Sequence, residues 1–127
     1  KNSSSENEQV IIYKENTRIV SPINLLFENV QKITISDINT IYVDKNLLNY
    51  PLTLRKWEKG DFFYPTGMSG KKKLSKYFKD EKISVFDKNN IWLLCSDDNE
   101  IIWIIGKRQD RRFLSSNSTT QLLRITI

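Results

Sequence analysis

Ile91-Trp92-Leu93-Leu94-Cys95 and Ile101-Ile102-Trp103-Ile104-Ile105, joined by Ser96-Asp97-Asp98-Asn99-Glu100, decide the fold. Two short runs of aliphatic and aromatic residues flank a polar turn, the pattern of a β-hairpin. Neither run alternates polar with apolar, as a strand with one wet face would. Both strands are therefore expected to be central and covered on each side. Gly106 ends the second.

Working outward, further β signals lie on both sides. Leu52 and Leu54 alternate behind Pro51, and a proline opening a strand removes no central ladder bond. Val10–Tyr13, Lys32–Ser36 and Thr40–Val43 read as strands, and Leu122–Ile127 as a last alternating one. Ser21-Pro22 interrupts whatever precedes it. Ile23–Phe27 is a short strand or a helical turn; so few residues do not choose. Residues 1–9 read as a disordered end or linker, 10–49 as a β-rich lead-in, and 50–127 as the principal domain. The best helix candidate runs from about Gly70 to Asp80 with Ser69 as N-cap, since Leu74, Tyr77 and Phe78 share one face. The predicted class is α+β with β predominating: a sandwich-like core of short strands with one or two packed helices.

Composition narrows the function. The chain has 127 residues, enough for one core, with 28% charged residues and a formal net charge of +5. Arg55–Lys88 carries ten Lys/Arg against five Asp/Glu, and the remainder carries ten of each. The whole excess thus lies in one stretch, and an acidic partner is the first expectation. The longest apolar run, residues 101–105, is far short of the roughly 20 residues of a membrane span, so no membrane partner is expected. No basic-then-apolar leader opens the chain, and the one methionine is Met68; the chain is expected to be a piece of a longer polypeptide. There is no histidine, which removes imidazole catalysis and ligation, and no metal set is evident. Four glycines form no phosphate loop. The one cysteine, Cys95, sits mid-strand and is expected to be buried and inert. Asp61, Asp80, Asp87 and Asp110 show no paired spacing for acid–base work.

The basic residues fall in two groups. On the helical reading, Lys71, Lys72 and Lys73 occupy the opening turn, at the positive end of the helix dipole, while Asp80 and Glu81 sit at the negative end. Each placement costs about 0.3–1 kcal/mol when exposed. Lys72 and Lys76 add a like-charge pair, and Lys72, Lys76 and Lys79 fall on the face opposite the apolar one. Folding does not ask for this arrangement, whereas a polyanion does. The other reading is a plain solvated face, and charge pattern alone does not decide. The second group is Lys107, Arg108, Arg111 and Arg112, in a basic and then Ser/Thr/Asn-rich loop spanning 107–121. Asp110 is expected to orient Arg108 or Arg112 by an ion pair. Trp57, Phe62, Phe63 and Tyr64 suit either base stacking or a turn packed into the core, and the second is preferred; Trp92 and Trp103 are expected in the core.

A resemblance enters at Arg55. The string Arg55-x-Trp57-x-x-Gly60-Asp61-x-Phe63-x-Pro65-x-Gly67-Met68 resembles the opening motif of the C-terminal domain of bacterial tRNA(Ile)-lysidine synthase. Gly70-Lys71-Lys72-Lys73-Leu74-Ser75-x-Tyr77-Phe78-x-Asp80-x-Lys82-Ile83 and Ile102-Trp103-x-x-Gly106-x-Arg108-x-Asp110-x-Arg112 are similar to later parts of the same domain. Ser84, Lys88 and Trp92 depart from its pattern. The resemblance implies a cytoplasmic parent enzyme that uses ATP and lysine to convert the wobble cytidine of tRNA(Ile) to lysidine. Its ATP loop belongs to an N-terminal catalytic domain, so this chain needs no cofactor and is not expected to catalyse alone. The implied role is recognition of the tRNA acceptor stem. The expected phosphate contacts are Lys71, Lys72, Lys73, Lys76, Lys79, Arg108, Arg111 and Arg112, with Arg55 either contributing or only pairing with Asp61. The competing expectation is a protein-interaction module, either a homodimer surface or a dock for the rest of the polypeptide.

Overall fold

The structure, a computed structural model, describes residues 9–34 and 37–127. Its strands are β1 (Gln9–Ile12), β2 (Arg18–Ile19), β3 (Leu25–Val30), β4 (Thr40–Asp44), β5 (Leu52–Lys56), β6 (Phe62–Phe63), β7 (Lys72–Lys73), β8 (Trp92–Cys95), β9 (Ile101–Ile104), β10 (Arg108–Gln109) and β11 (Leu122–Thr126). Two short helices, α1 (Leu74–Asp80) and α2 (Val85–Lys88), lie between β7 and β8. One antiparallel sheet runs β1-β5-β8-β9-β10, a second β2-β3-β11-β4, and β6 and β7 form a separate ribbon. Residues on both sides of position 50 build both large sheets: β1 pairs with β5, and β3 and β4 flank β11.

The β8–β9 hairpin is central, as its uniform apolarity requires. On one face Leu94, Ile102 and Trp103 meet Leu25, Phe27, Ile41, Val43, Leu123 and Ile125 of the second sheet. On the other, Leu93, Cys95, Ile101 and Ile104 meet Phe63 of the ribbon and Leu74, Tyr77 and Phe78 of α1. Apart from Trp92 at the start of β8, every position on the two strands is buried, and none is polar. Register shifts at Leu94/Cys95, where Leu94 opposes Trp103 and Cys95 opposes Ile101. Ile102 is the extra residue of this bulge, which turns both Ile102 and Trp103 into the core between the sheets. Its carbonyl accepts the Asp110 N–H at 2.9 Å.

Several expectations need correction. The helix starts at Leu74, not near Gly70, and Ser69 does not cap it. Lys73 holds the N-cap position in extended conformation without a side-chain bond, and Lys72–Lys73 are paired with Phe62–Phe63. The Leu74 N–H donates to Asp61 O at 2.9 Å, so ribbon pairing satisfies backbone here that a longer helix would otherwise use. It also keeps Lys71 and Lys72 out of the helix, leaving Lys73 at the N-cap as the one of the three at the positive end of the dipole. α1 closes with Ile83 N–H on Phe78 O and Lys82 N–H on Lys79 O, and Lys82 stands at φ 57 where glycine is usual. Of Ile23–Phe27, the residues from Leu25 on are strand, the start of β3, and Ile23 and Asn24 precede it. Lys32–Thr34 is not a strand, and Ile33 is exposed; Ile35 and Ser36 lie outside the described residues. Gln9 opens β1, while residues 1–8 lie outside the described residues. The 107–121 segment is not all loop: it carries β10 and a 3₁₀ turn, Arg111–Phe113. Trp103 is buried, whereas Trp92 is only partly so, with Lys56 Nζ 4.7 Å from its ring centroid.

Cys95 is fully buried, and burial pushes its thiol up from 9.0 to about 11. It should resist a thiol reagent at pH 8 in the native protein and react once denaturant is added. The unfolded thiol ionises first as pH rises, so the native protein holds more protons between pH 9 and 11. Stability should therefore fall across that window, by up to about 1.4 kcal/mol per pH unit, and Cys95→Ala should remove that share of the slope. Urea titrations at pH 8, 9.5 and about 11 check it.

Candidate nucleic-acid interface

The basic stretch is built from an ion pair outward. Arg55, on β5, is 3% exposed, and its guanidinium forks onto Asp61 with two bonds of 2.9 Å. It also donates to Asn99 Oδ1 and Lys56 O. Arg55 therefore pairs with Asp61 and offers nothing to a phosphate. Asp61 Oδ2 accepts the Glu58 N–H at 2.7 Å, closing the turn in which Gly60 takes φ 96. That turn delivers the chain into β6. Strand periodicity sends Phe63 into the core and leaves Phe62 exposed and Tyr64 half-buried on the outside.

The second basic group clamps the loop that follows. Asp110 is wholly buried and accepts four donors: Tyr64 N–H (2.9 Å), Arg112 N–H (2.8 Å), Arg112 Nε (3.0 Å) and Arg112 Nη2 (2.8 Å). Of the two arginines expected as partners it takes Arg112, which also donates to Glu100 at 2.9 Å. Arg108 instead donates to the hydroxyl and carbonyl of Thr66, and Arg111 donates to Ser69 O at 2.7 Å. The guanidinium carbons of Arg112 and Arg111 lie 4.2 and 5.2 Å from the Tyr64 ring centroid. These arginines thus fix residues 64–69, which lead into the lysines.

The lysines divide by partner. Lys72 and Lys76 both reach Asp80, at 2.8 and 3.0 Å, and those hydrogen bonds, Lys72 first, hold the Asp80 carboxyl below its usual range. They are therefore not a repelling pair along one helix, and the expected unfavourable charge at the helix C-terminus is neutralised. Lys71 Nζ lies 4.6 Å from the Phe62 ring centroid. Lys73 and Lys79 are exposed with no ion pair among the described residues, and Lys79 sits in the last helical turn, where a cation is favourable. The two basic groups that look separate in sequence meet across Phe62 and Tyr64, whose rings contact edge-on at 6.1 Å. Among the described residues no group of three Cys, Asp or Glu is placed to hold a metal, and no helix is long and apolar enough to cross a membrane.

A family model described as the TilS substrate C-terminal domain matches residues 52–126, a span that contains Arg55 and both basic groups. The chain belongs to this family. Among its curated TilS relatives, the tRNA(Ile)-lysidine synthase of Parabacteroides distasonis is 51% identical over 82 residues, covering 65% of this chain and 18% of that protein. The tRNA(Ile)-lysidine synthase of Clostridium tetani is 32% identical over 130 residues, covering all of this chain and 28% of that protein. The chain thus spans 18% to 28% of the length of these relatives. The crystal structure of a TilS C-terminal domain superposes with a TM-score of 0.72 over 94% of this chain and 95% of that one, at 16% identity, which shows a shared fold.

Within this TilS domain, sequence reasoning weighed Phe62 and Tyr64 for base stacking but preferred them packed into the core, whereas they lie on the outside, and it passed over Glu100 as part of the basic surface. A signal for the first two was present. Three aromatics in a row ahead of a proline, read at the period of a strand, put the outer two on the side opposite the middle one. Glu100 gave none, because its partner Arg112 is twelve residues away on a different strand connection.

Proposed function

We propose that this chain is the non-catalytic tRNA-holding part of a cytoplasmic tRNA(Ile)-lysidine synthase, gripping the acceptor stem of tRNA(Ile) while a catalytic domain elsewhere in the polypeptide uses ATP and lysine to convert the wobble cytidine. One observation carries the reading. The entire charge excess of the chain lies in Arg55–Lys88, and within it Lys71, Lys73, Lys76 and Lys79 are exposed on a segment anchored by three arginines. A-form RNA presents phosphates and 2′-hydroxyls more readily than base edges, and a rigid β core bearing outward lysines suits it. In this arrangement Lys71, Lys73, Lys76 and Lys79 contact phosphate. Lys72, Arg108, Arg111 and Arg112 shape the surface and add to its field.

With about four phosphates neutralised, log affinity for tRNA(Ile) should fall against log salt with a slope of about −3 to −4. Changing Lys71, Lys73 and Lys79 to alanine together should flatten the slope by about 2 to 3 and leave the urea midpoint nearly unchanged. Fluorescence anisotropy across a salt series reads both. The competing reading, a protein-docking module, has its own support in the adjacent exposed Val85 and Phe86 of α2, 67% and 76% exposed. A chain that sediments as a salt-insensitive dimer and has no tRNA affinity would replace the RNA reading with that one.

A further inference from the structure

A cleft of about 300 Å³ opens beside Phe62, bounded by Gly60, Asp61, Phe62, Asp98, Asn99, Glu100 and Arg112. That is the lower end of ligand-sized pockets, with room for one planar ring and none for a double helix. Its walls are unlike the lysine surface around it. Phe62 supplies an aromatic surface, 39% exposed. Arg112 supplies a planar cation whose orientation is locked by Asp110 and Glu100 and backed by the Tyr64 ring. The rim carries hydrogen-bond acceptors. Asp61 and Asn99 are occupied by Arg55, and Glu100 Oε2 by Arg112. Asp98 receives only long bonds of 3.4 Å, from Asn49 Nδ2 and the Glu100 N–H, and is exposed. Lys71, outside the residues that bound the cleft, holds its ammonium 4.6 Å from the centroid of the Phe62 ring.

Each wall suits part of one ligand. Unpaired bases are recognised by stacking on aromatic rings or guanidinium planes and by hydrogen bonds to their edges. Carboxylate acceptors match the exocyclic amino groups of cytosine and adenine. They oppose the carbonyl that uracil presents in the same place, and they repel phosphate. A phosphate therefore belongs outside the cleft, on Lys71. We propose that the cleft takes one unpaired, amino-bearing nucleotide of the bound RNA, its base stacked on Phe62 and facing Arg112, its amino group donating to Asp98 and its phosphate on Lys71. The proposal rests on the tRNA-binding reading and makes the domain a reader of a single-stranded end as well as a duplex.

The test uses the whole chain and short RNA hairpins that share one stem: one blunt, one with a 3′ tail of C and A, one with a 3′ tail of U. Anisotropy at fixed salt should show the C/A tail raising affinity about tenfold over the blunt stem, within the range that one stacked base supplies. The U tail should raise it less. Phe62→Ala should cancel the C/A increment, bringing tailed and blunt stems to the same affinity, while Phe62→Trp should retain the increment. A 2-aminopurine placed in the tail should be quenched on binding wild type and not on binding Phe62→Ala. Equal affinity for blunt and tailed stems, or a loss in Phe62→Ala that is the same for both, overturns the nucleotide site alone. Failure to bind any of the hairpins overturns the site together with the tRNA-holding role.

Discussion

Asp110→Ala is expected to destabilise the protein by about 3–5 kcal/mol, the cost of removing one partner from a buried pair. The carboxylate is wholly buried and satisfies two backbone N–H groups and two guanidinium nitrogens at once. Alanine would leave the Tyr64 N–H without its acceptor and Arg112 with only the half-exposed Glu100. A domain of this size has roughly 5–15 kcal/mol of stability in all, so the loss is a large share of it. Asparagine keeps the shape and one acceptor oxygen but aims an amide NH₂ at a guanidinium. Its cost should be smaller, about 1–3 kcal/mol. Urea denaturation with linear extrapolation measures both, and an unchanged m-value assigns the change to stability. An alanine variant within about 0.5 kcal/mol of wild type would mean that Asp110 does not hold the 64–69 loop.

What could be read from the sequence, and what could not, follows from how far apart the interacting residues lie. The hairpin was legible because burial on both faces leaves a local mark: Trp92–Cys95 and Ile101–Ile104 contain no polar position. The apolar face of α1 was legible for the same reason, since Leu74, Tyr77 and Phe78 repeat at helical spacing. Its start was not. Nothing local says that Lys72 and Lys73 pair with Phe63 and Phe62, because that depends on the Arg55–Asp61 turn bringing β6 alongside. The misplaced start hid the Lys72–Asp80 bridge too. On one continuous helix those residues would be about 12 Å apart along the axis, out of contact. They meet because the chain bends at Lys73. Asp110 was legible as an ion-pair partner but not in its choice of Arg112, which is set by β10 and the 3₁₀ turn placing Arg108 against Thr66.

The Arg55–Asp61 pair separates stability from the shape of the basic surface. Its side chains are 3% and 11% exposed, so either single change, Arg55→Met or Asp61→Leu, strands a charge in the interior and should cost about 3–4 kcal/mol. Making both changes removes the stranded charge and the desolvation of two ions together. The double variant is expected to return to within about 1 kcal/mol of wild type, a coupling of several kcal/mol in a double-mutant cycle. Recovered stability should not bring back the surface. Asp61 also caps the Glu58 N–H and sets the turn from which Phe62 and the β6–β7 ribbon emerge, and leucine does neither. The stable double variant should accordingly bind tRNA(Ile) about tenfold more weakly, equivalent to about 1.4 kcal/mol, with a shallower salt slope. Full affinity in a stable double variant would show that the ribbon finds its place without the pair. Weak binding at wild-type stability would show that this ion pair, marginal for folding, aims the lysines at their phosphates.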